Sequence, residues 1–302
     1  MNGILPLYKP AGMSSHDCVA AIRKIIHERR VGHSGTLDPQ VDGVLPICIG
    51  QATKVVDYLL TKGKVYTGEI LLGQASETED LEGAIIAQTA ILKPFDQDQI
   101  TQAMAALTGD IIQIPPMYSA VKVNGRRLYD YARSGDPVQR PKRAVHVYRF
   151  QLLGTNYDAT TKTQRIQFSA EVSKGTYIRT LAVDCGKILG VPALMAQLTR
   201  LSSGGFDLED TISLADFKAA VANGQGAQHL FPMERVLSDF PVYVLSPHQR
   251  EQIQNGAFLE LPGLPDVVAL TYQNYIKALY QRKRGDIYKP LRMFLQNEGI
   301  GS

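Results

Sequence analysis

The chain has 302 residues, a formal net charge of +3 and 44% hydrophobic residues, as expected for a globular protein with one large and one small domain or two ordinary ones. No apolar run approaches the roughly 18 residues of a transmembrane helix, and the first residues lack the basic head and apolar length of a signal peptide. Cys18, Cys48 and Cys185 show no CxxC spacing, so we expect a reducing cytoplasm and no disulfide framework.

The first elements follow from local patterns. Ile4–Tyr8 is predicted to be a strand that leads into a turn at 9–12. Ser14-x-x-Asp17 is a capping box, and the helix behind it has an apolar stripe of Val19, Ile22, Ile25 and Ile26. A polar loop with three glycines, 32–43, precedes a buried strand at Val44–Ile49.

Farther along, strands and helices continue to alternate. Period-two patterns predict strands at Val65–Leu72 and Arg165–Val172. Helices are predicted at Gln97–Leu107, Arg127–Arg133 and Tyr177–Leu189. The order up to about residue 235 therefore indicates one mixed α/β domain. From about residue 239 the chain is predicted to form a small, mostly β module, with strands at Val242–Leu245, Val267–Tyr272, Ile276–Tyr280 and Tyr288–Phe294.

Several functional classes lack their motifs. The sequence contains no GxGxxG and no Walker P-loop, and His27-Glu28-Arg29-Arg30-Val31 departs from HExxH at its last position. The six histidines and three cysteines show no metal-ligand spacing. We therefore expect neither a nucleotide cofactor nor a metal.

Charge is unevenly distributed along the chain. Val121–Arg149 carries eight Lys or Arg against two Asp, and Lys277–Arg292 carries six against Asp286 alone. Glu77, Glu79, Asp80 and Glu82 form an acidic turn. The two basic tracts indicate either a phosphate-binding surface or simply solvated faces.

Asp38 and Arg179 are the first candidates for chemistry. Asp38 lies in the Gly-rich loop, where reactive side chains are often displayed, although Asp-Pro is also a good turn former. Asp42 is either a second acid or, as we expect, a turn cap. With Thr176 as N-cap, Arg179 falls in the first turn of a helix, where a cation opposes the dipole and calls for an anionic partner; the alternative is a surface arginine.

Three other side chains are candidates for contact with a nucleobase or with RNA. Tyr66 and Tyr177 have the aromatic rings needed for stacking, which contributes about 1–3 kcal/mol per base, but strand tyrosines are more often packing residues. His33 shares the Asp38 loop, where a lone histidine either contacts RNA or is incidental.

Five segments carry a recognisable pattern. They are Lys9-Pro10-Ala11-Gly12-Met13-Ser14-Ser15, Gly32-His33-Ser34-Gly35-Thr36-Leu37-Asp38-Pro39, residues 43–54 (GVLPICIGQATK), residues 114–122 (IPPMYSAVK) and residues 173–180 (SKGTYIRT). Together they resemble the bacterial tRNA pseudouridine-55 synthase family, the TruB type. The resemblance runs in order over roughly residues 3–235, which makes chance agreement improbable.

The resemblance implies a fold and a division of the chain. It implies the pseudouridine-synthase fold over 1–238, with a large mixed, mostly antiparallel sheet flanked by helices. A basic insertion at 121–149 would grip the RNA, and 239–302 would form a small β-rich PUA-like module that binds RNA. Three departures are visible, at Tyr8, at Gln40-Val41-Asp42 and at Glu77.

The resemblance also implies residue roles. Asp38 falls on the catalytic aspartate, Arg179 on the arginine that pairs with it, and Tyr66 on the tyrosine that stacks on the target uracil. Tyr177 and Leu198 fall on residues of the base pocket, and His33 on an RNA-contacting histidine. Asp80 and Lys9 are further candidates for a loop near the substrate.

The implied reaction converts uridine 55 in the T-arm stem-loop of tRNA to pseudouridine, without a cofactor, in a cytoplasmic enzyme that needs no protein partner and acts as a monomer. The chemistry leaves three routes open for Asp38: attack at C1′, attack at C6, or removal of the C2′ proton. Two other functions remain open: a tRNA-folding chaperone without catalysis, and an RNA hydrolase using Asp38 with Asp42.

Overall fold

The computed structural model describes residues 1–300, which form eighteen strands and seven α-helices. The strands are β1 (Gly3–Lys9), β2 (Val31–His33), β3 (Asp42–Ile49), β4 (Lys64–Leu72), β5 (Gln74–Ser76), β6 (Ile85–Gln88), β7 (Gly109–Gln113), β8 (Lys122–Val123), β9 (Arg126–Arg127), β10 (Arg143–Asp158), β11 (Thr163–Val172), β12 (Ala193–Ser203), β13 (Phe206–Asp207), β14 (Val242–Val244), β15 (Leu259–Glu260), β16 (Val267–Tyr272), β17 (Tyr275–Arg284) and β18 (Ile287–Met293). The helices are α1 (Ser15–Ile26), α2 (Val56–Thr61), α3 (Gln97–Ala105), α4 (Leu128–Ser134), α5 (Ile178–Leu189), α6 (Leu214–Ala222) and α7 (Pro247–Gln254). In this part of the chain no helix has the length and apolar character needed to cross a bilayer.

The chain divides into two compact units. The first combines Met1–Thr61 with the chain from Ser203 onward, and the second is Lys62–Ser202. Both contain strands and helices, so the predicted mixed α/β class is confirmed. The boundary that the sequence places at residue 238 falls inside the first unit.

In the N-terminal part of the first unit, helices pack on three antiparallel strands of a nine-stranded sheet. β1 pairs with β3 from Gly3↔Ile49 to Lys9↔Gly43, and β2 also pairs with β3. The predicted capping box of α1 is confirmed, since Asp17 N donates to Ser14 Oγ at 3.1 Å and Ser14 N donates to Asp17 Oδ2 at 2.9 Å. A core of apolar side chains joins helix and sheet, with Leu5, Leu7, Cys18, Val19, Ile22, Leu45, Ile47 and Phe217 among its members.

The C-terminal part of the first unit has a sheet of its own, in the order β14-β16-β17-β18-β15. All four predicted strands are confirmed within a few residues. The sequence missed α7, because only Ile253 of its eight residues is buried and no apolar stripe marks it. Its start is nevertheless fixed by a capping box in which Gln249 N donates to Ser246 Oγ.

The second unit is built on the sheet β12-β4-β11-β10-β7. β11 is antiparallel to β4, with Ala170 opposite Tyr66 and Val172 opposite Lys64. The basic tract 121–149 contains the helix predicted at Arg127–Arg133, which is confirmed as α4. It consists of the β8–β9 hairpin and α4, and its last seven residues already belong to β10.

Candidate functional site

Asp38 lies in a loop of the first unit whose backbone is fixed on both sides of it. Leu37 and Val41 are buried, whereas Asp38 is half-buried. Leu37 N donates to Ser15 Oγ at 2.9 Å, and the same hydroxyl donates to Leu37 O at 3.2 Å. Val41 N donates to Asp38 O at 3.1 Å. Asp38 is therefore the first residue of a turn, as expected for Asp-Pro, and it lies between the buried residues Leu37 and Val41.

Lys9 supports the same loop from β1. Its side chain is fully buried, and its Nζ donates to the backbone oxygens of Pro10 and Pro39, both at 2.9 Å. Gly12 N also donates to Pro39 O at 2.9 Å. A buried ammonium is costly unless hydrogen bonds satisfy it, so these carbonyls link the end of β1 to the residue after Asp38.

Asp42 is bonded to a tyrosine and does not cap a turn, which corrects the expectation from sequence. The Tyr8 hydroxyl donates to Asp42 Oδ2 at 2.7 Å. That hydrogen bond, with burial and the nearby negative charge, raises the pKa of Tyr8 above its usual value. Tyr8 and Asp42 lie at two of the three places where the sequence is expected to depart from the pattern it resembles, and the structure joins them in one hydrogen-bonded pair.

His33 is the last residue of β2, where it pairs with Ile47 of β3 and is half-buried. It thus lies in the first unit, five residues before Asp38. The structure therefore places His33 on the strand that leads into the Asp38 loop.

The second unit holds the remaining candidates, beginning with Tyr66 and Leu198. Tyr66 on β4 and Leu198 on β12 are each 7% exposed. β4 and β12 are neighbours in the sheet, and a Cβ on Gly68 would lie 2.4 Å from Gln197 O and 3.0 Å from a Leu198 methyl carbon. Only glycine fits at position 68, and this close approach brings Leu198 beside the strand that carries Tyr66.

Tyr177, not Thr176, is the N-cap of α5, and it has no side-chain capping bond. Its backbone is held instead by Gln113, which is 1% exposed. Tyr177 N donates to Gln113 Oε1 at 2.9 Å, and Gln113 Nε2 donates to Tyr177 O at 3.2 Å. Sequence reasoning missed Gln113. Its only signal was a polar residue directly before the segment 114–122.

Arg179 is the second residue of α5, and 7% of its side chain is exposed. Its guanidinium donates to Thr78 O at 2.9 Å and to Tyr118 O at 3.0 Å, and lies 3.7 Å from Asp80 Oδ2. The surface alternative is therefore wrong. The expected anionic partner at this helix start includes the Asp80 carboxylate.

Asp80 and Glu79 organise the acidic turn. The Thr78 hydroxyl and Glu82 N both donate to Asp80 Oδ1, the latter at 3.0 Å. Glu79 accepts the Thr180 hydroxyl at 3.0 Å and lies 3.9 Å from Arg140. Burial raises the pKa of Glu79, although Thr180 and the neighbouring arginines oppose that effect. The turn is thus tied to α5 and to one arginine of the basic tract.

No group of three or more His, Cys, Asp or Glu side chains in residues 1–300 is arranged to hold a metal ion. The candidate residues of each unit have hydrogen-bonding, aromatic or apolar side chains. Asp38, His33 and Lys9 lie in the first unit, and Tyr66, Asp80, Tyr177, Arg179 and Leu198 lie in the second.

Comparison with known proteins gives consistent matches. Residues 23–178 match the N-terminal domain of the TruB family of pseudouridylate synthases, and residues 179–238 match the tRNA pseudouridylate synthase B C-terminal domain. The chain is 54% identical to tRNA pseudouridine synthase B of Lactiplantibacillus plantarum, over 98% of this chain and 100% of that protein. Its identity to the protein of the same name from Latilactobacillus sakei is 52%, over 99% of each.

Solved structures agree with these matches. A crystal structure of a Cbf5-Nop10-Gar1 complex contains a chain with a TM-score of 0.71 and 28% identity, covering 97% of this chain and 84% of that one. The structure of an H/ACA RNP bound to a substrate RNA containing 2′-deoxyuridine gives a TM-score of 0.71 at 27% identity, with the same coverage. The sequence relatives and the family model, with its match to more than half of the chain, show that this chain belongs to the TruB family of pseudouridylate synthases.

Proposed function

We propose that this chain converts uridine 55 in the T arm of tRNA to pseudouridine, acting as a monomer in the cytoplasm without a cofactor. The observation that carries the proposal is its identity of more than 50% to proteins named tRNA pseudouridine synthase B, over nearly the full length of both chains. The five sequence segments that match the family, among them the Asp38 loop, support it.

Asp38 is the proposed catalytic carboxylate. Pseudouridine formation breaks the bond between N1 of uracil and C1′, turns the base, and rejoins it through C5, so nothing is oxidised and no group is lost. An ionised carboxylate can serve at the sugar or the base, as carboxylates do in glycoside chemistry. The bonds of Ser15 and Lys9 to the loop support this role, because they fix the backbone that carries Asp38.

Tyr66, Tyr177 and Leu198 are the proposed base-binding residues. The uridine of a stem-loop must leave its stack before its atoms can be reached, at a cost of a few kcal/mol. Stacking on Tyr66 would offset part of that cost. Arg179, which the resemblance assigns to the catalytic carboxylate, is held by two backbone oxygens and so brings a positive charge with a fixed position.

The basic tract and the C-terminal module are the proposed RNA-gripping parts. Arg126 lies over the ring of Tyr131, and Arg127 and Arg133 lie over Tyr129, so cations and rings share the β8–β9 hairpin and α4. The family models end at residue 238, which supports a sequence boundary there, and RNA binding is proposed for the segment 239–302 that follows. His33 is the proposed RNA contact of the first unit, and Asp80 and Lys9 act through the loops that they hold.

The two other functions have less support. An RNA hydrolase would use Asp42 as a second acid, but one oxygen of Asp42 accepts the Tyr8 hydroxyl. It would also yield cleaved RNA or need a metal. A tRNA chaperone is compatible with the enzyme, and a protein that only binds would rescue RNA folding equally well without Asp38.

The proposal is tested by mapping pseudouridine in unmodified tRNA after incubation with the full chain and no added metal. We expect modification at position 55, and none in a transcript with cytidine at that position. Cleavage of the tRNA, pseudouridine only at positions other than 55, or tRNA that stays unmodified would overturn the assignment.

A further inference from the structure

Lys64, the first residue of β4, is a buried cation without an ionic partner. Its residue exposure is 8%. Its Nζ makes one hydrogen bond, to Lys62 O at 3.5 Å, which is at the outer limit for such a bond. Within residues 1–300, no ion pair joins this Nζ to a carboxylate, and the charged groups that act on it are both cations. Buried charges are costly unless they are paired, so this ammonium is unfavourable for the fold alone.

Two other cations adjoin Lys64 in the same unit. Arg200 is fully buried on β12, two residues beyond Leu198 and therefore on the same face of that strand. Lys174 is exposed and follows the end of β11, where Val172 pairs with Lys64. Burial, together with the positive charges of Arg200 and Lys174, lowers the pKa of Lys64 to about 8. Three cations thus meet at one end of this sheet.

The face that carries Lys64 also carries the proposed base-binding residues. Lys64 and Tyr66 are two positions apart on β4, so their side chains lie on the same face. Leu198 and Arg200 occupy alternate buried positions on the neighbouring strand. An anion bound by Lys64 would therefore lie next to the base that Tyr66 and Leu198 receive.

From this arrangement we propose that Lys64 binds a backbone phosphate of the RNA next to the target uridine, with Arg200 and Lys174 strengthening the local positive potential. The inference rests on the proposed function, which supplies the polyanionic substrate. A phosphate adjoining the flipped nucleotide carries the negative charge that Lys64 lacks in the protein, and it is attached to the same nucleotide as the base. A bound phosphate would give the Lys64 ammonium the anionic partner that it lacks in the protein alone.

The test uses the full chain, a T-arm stem-loop RNA, and two versions of that RNA with an uncharged methylphosphonate on the 5′ or the 3′ side of the target uridine. The variants are Lys64→Met, which keeps an unbranched apolar stem, and Lys64→Arg, which keeps the charge. Lys93→Met, an exposed lysine of the same unit, is the matched control.

We expect Lys64→Met to weaken RNA binding roughly tenfold or more, the loss typical of a charge-assisted hydrogen bond. The slope of log K against log salt should fall in magnitude by about 0.7 to 0.9. One of the two methylphosphonates should weaken wild-type binding by a similar factor and leave Lys64→Met unaffected. Lys64→Arg should retain most of the binding, and Lys93→Met should match the wild type.

Two results would overturn the inference: wild-type binding that is indifferent to both methylphosphonates, or losses from Lys64→Met and from the sensitive methylphosphonate that simply multiply. The methylphosphonate arm uses wild-type protein, so indifference to both substitutions overturns the inference whatever the behaviour of Lys64→Met. Failure of the proposed function would appear separately, as absence of pseudouridine in the unsubstituted stem-loop incubated with wild type.

Discussion

The Ser15 hydroxyl exchanges two hydrogen bonds with the backbone of Leu37, the residue immediately before Asp38. Ser15 is 2% exposed, so water cannot replace the bond when the hydroxyl is removed. The first residue of α1 therefore sets the path of the loop that displays the proposed catalytic carboxylate.

Ser15→Ala should lower kcat at least tenfold with a smaller change in KM, because Asp38 loses its fixed position. Unfolding free energy should fall by about 1–3 kcal/mol, since Leu37 N is left unsatisfied. Ser14→Ala is the matched control: it removes the N-cap of the same helix and should cost about 1 kcal/mol while sparing kcat. Steady-state kinetics and urea unfolding measure both effects. Equal kcat values in the two variants would show that the Ser15 contact does not position Asp38.

Gln113→Leu should raise KM for the RNA, because the backbone of Tyr177 loses the two hydrogen bonds that hold it. The variant keeps the side-chain volume but leaves Tyr177 N and O without the partners that Gln113 provides. We expect KM for the RNA to rise several-fold and stability to fall by about 1–3 kcal/mol. Gln102→Leu, on the exposed side of α3, is the control and should behave as wild type. Unchanged KM in Gln113→Leu would remove Tyr177 from the proposed base pocket.

Arg179→Lys should impair catalysis more than RNA binding. The guanidinium reaches Thr78 O and Tyr118 O with two different nitrogens, and one ammonium cannot reproduce that fork. The control is Arg165→Lys, which alters a partly exposed pair with Glu69 in the same unit, a kind of pair that contributes roughly 0–1 kcal/mol. Single-turnover rates and filter binding separate the two effects. Equal losses of rate and affinity would indicate that Arg179 only holds phosphate.

Many of the secondary-structure elements could be predicted from the sequence, and the residues that were missed share a cause. The capping box of α1, strands β4 and β11, and the C-terminal strands follow from local patterns, and the structure confirms them. Ser15 and Gln113 were missed because their partners lie 22 and 64 residues away. The missed helix α7 is polar almost throughout. Local patterns indicate interactions between residues that are close in sequence, whereas the candidate residues are held by hydrogen bonds between distant segments.

Lys64 should make the stability of the protein depend on alkaline pH. Its pKa of about 8 in the folded chain lies below the ordinary value of 10.5, so the unfolded chain holds more protons between those two values. Stability contributed at this site should therefore rise as pH increases from about 8 to about 10.5. Lys64→Met should lack this rise and should be the more stable protein at pH 7, by a difference on the order of 1–3 kcal/mol. Urea unfolding of both proteins at pH 7 and pH 10 measures these differences. If Lys64→Met were less stable than the wild type at pH 7, the buried charge of Lys64 would not be destabilising.

The most direct measurement is tritium release from tRNA that carries uridine labelled at C5, since forming the new bond at C5 expels that hydrogen. Asp38→Asn preserves the size of the side chain and removes its charge. We predict that this variant binds tRNA with nearly wild-type affinity and releases no tritium above background. Release at a rate near that of the wild type would contradict the assignment of Asp38 as the catalytic carboxylate.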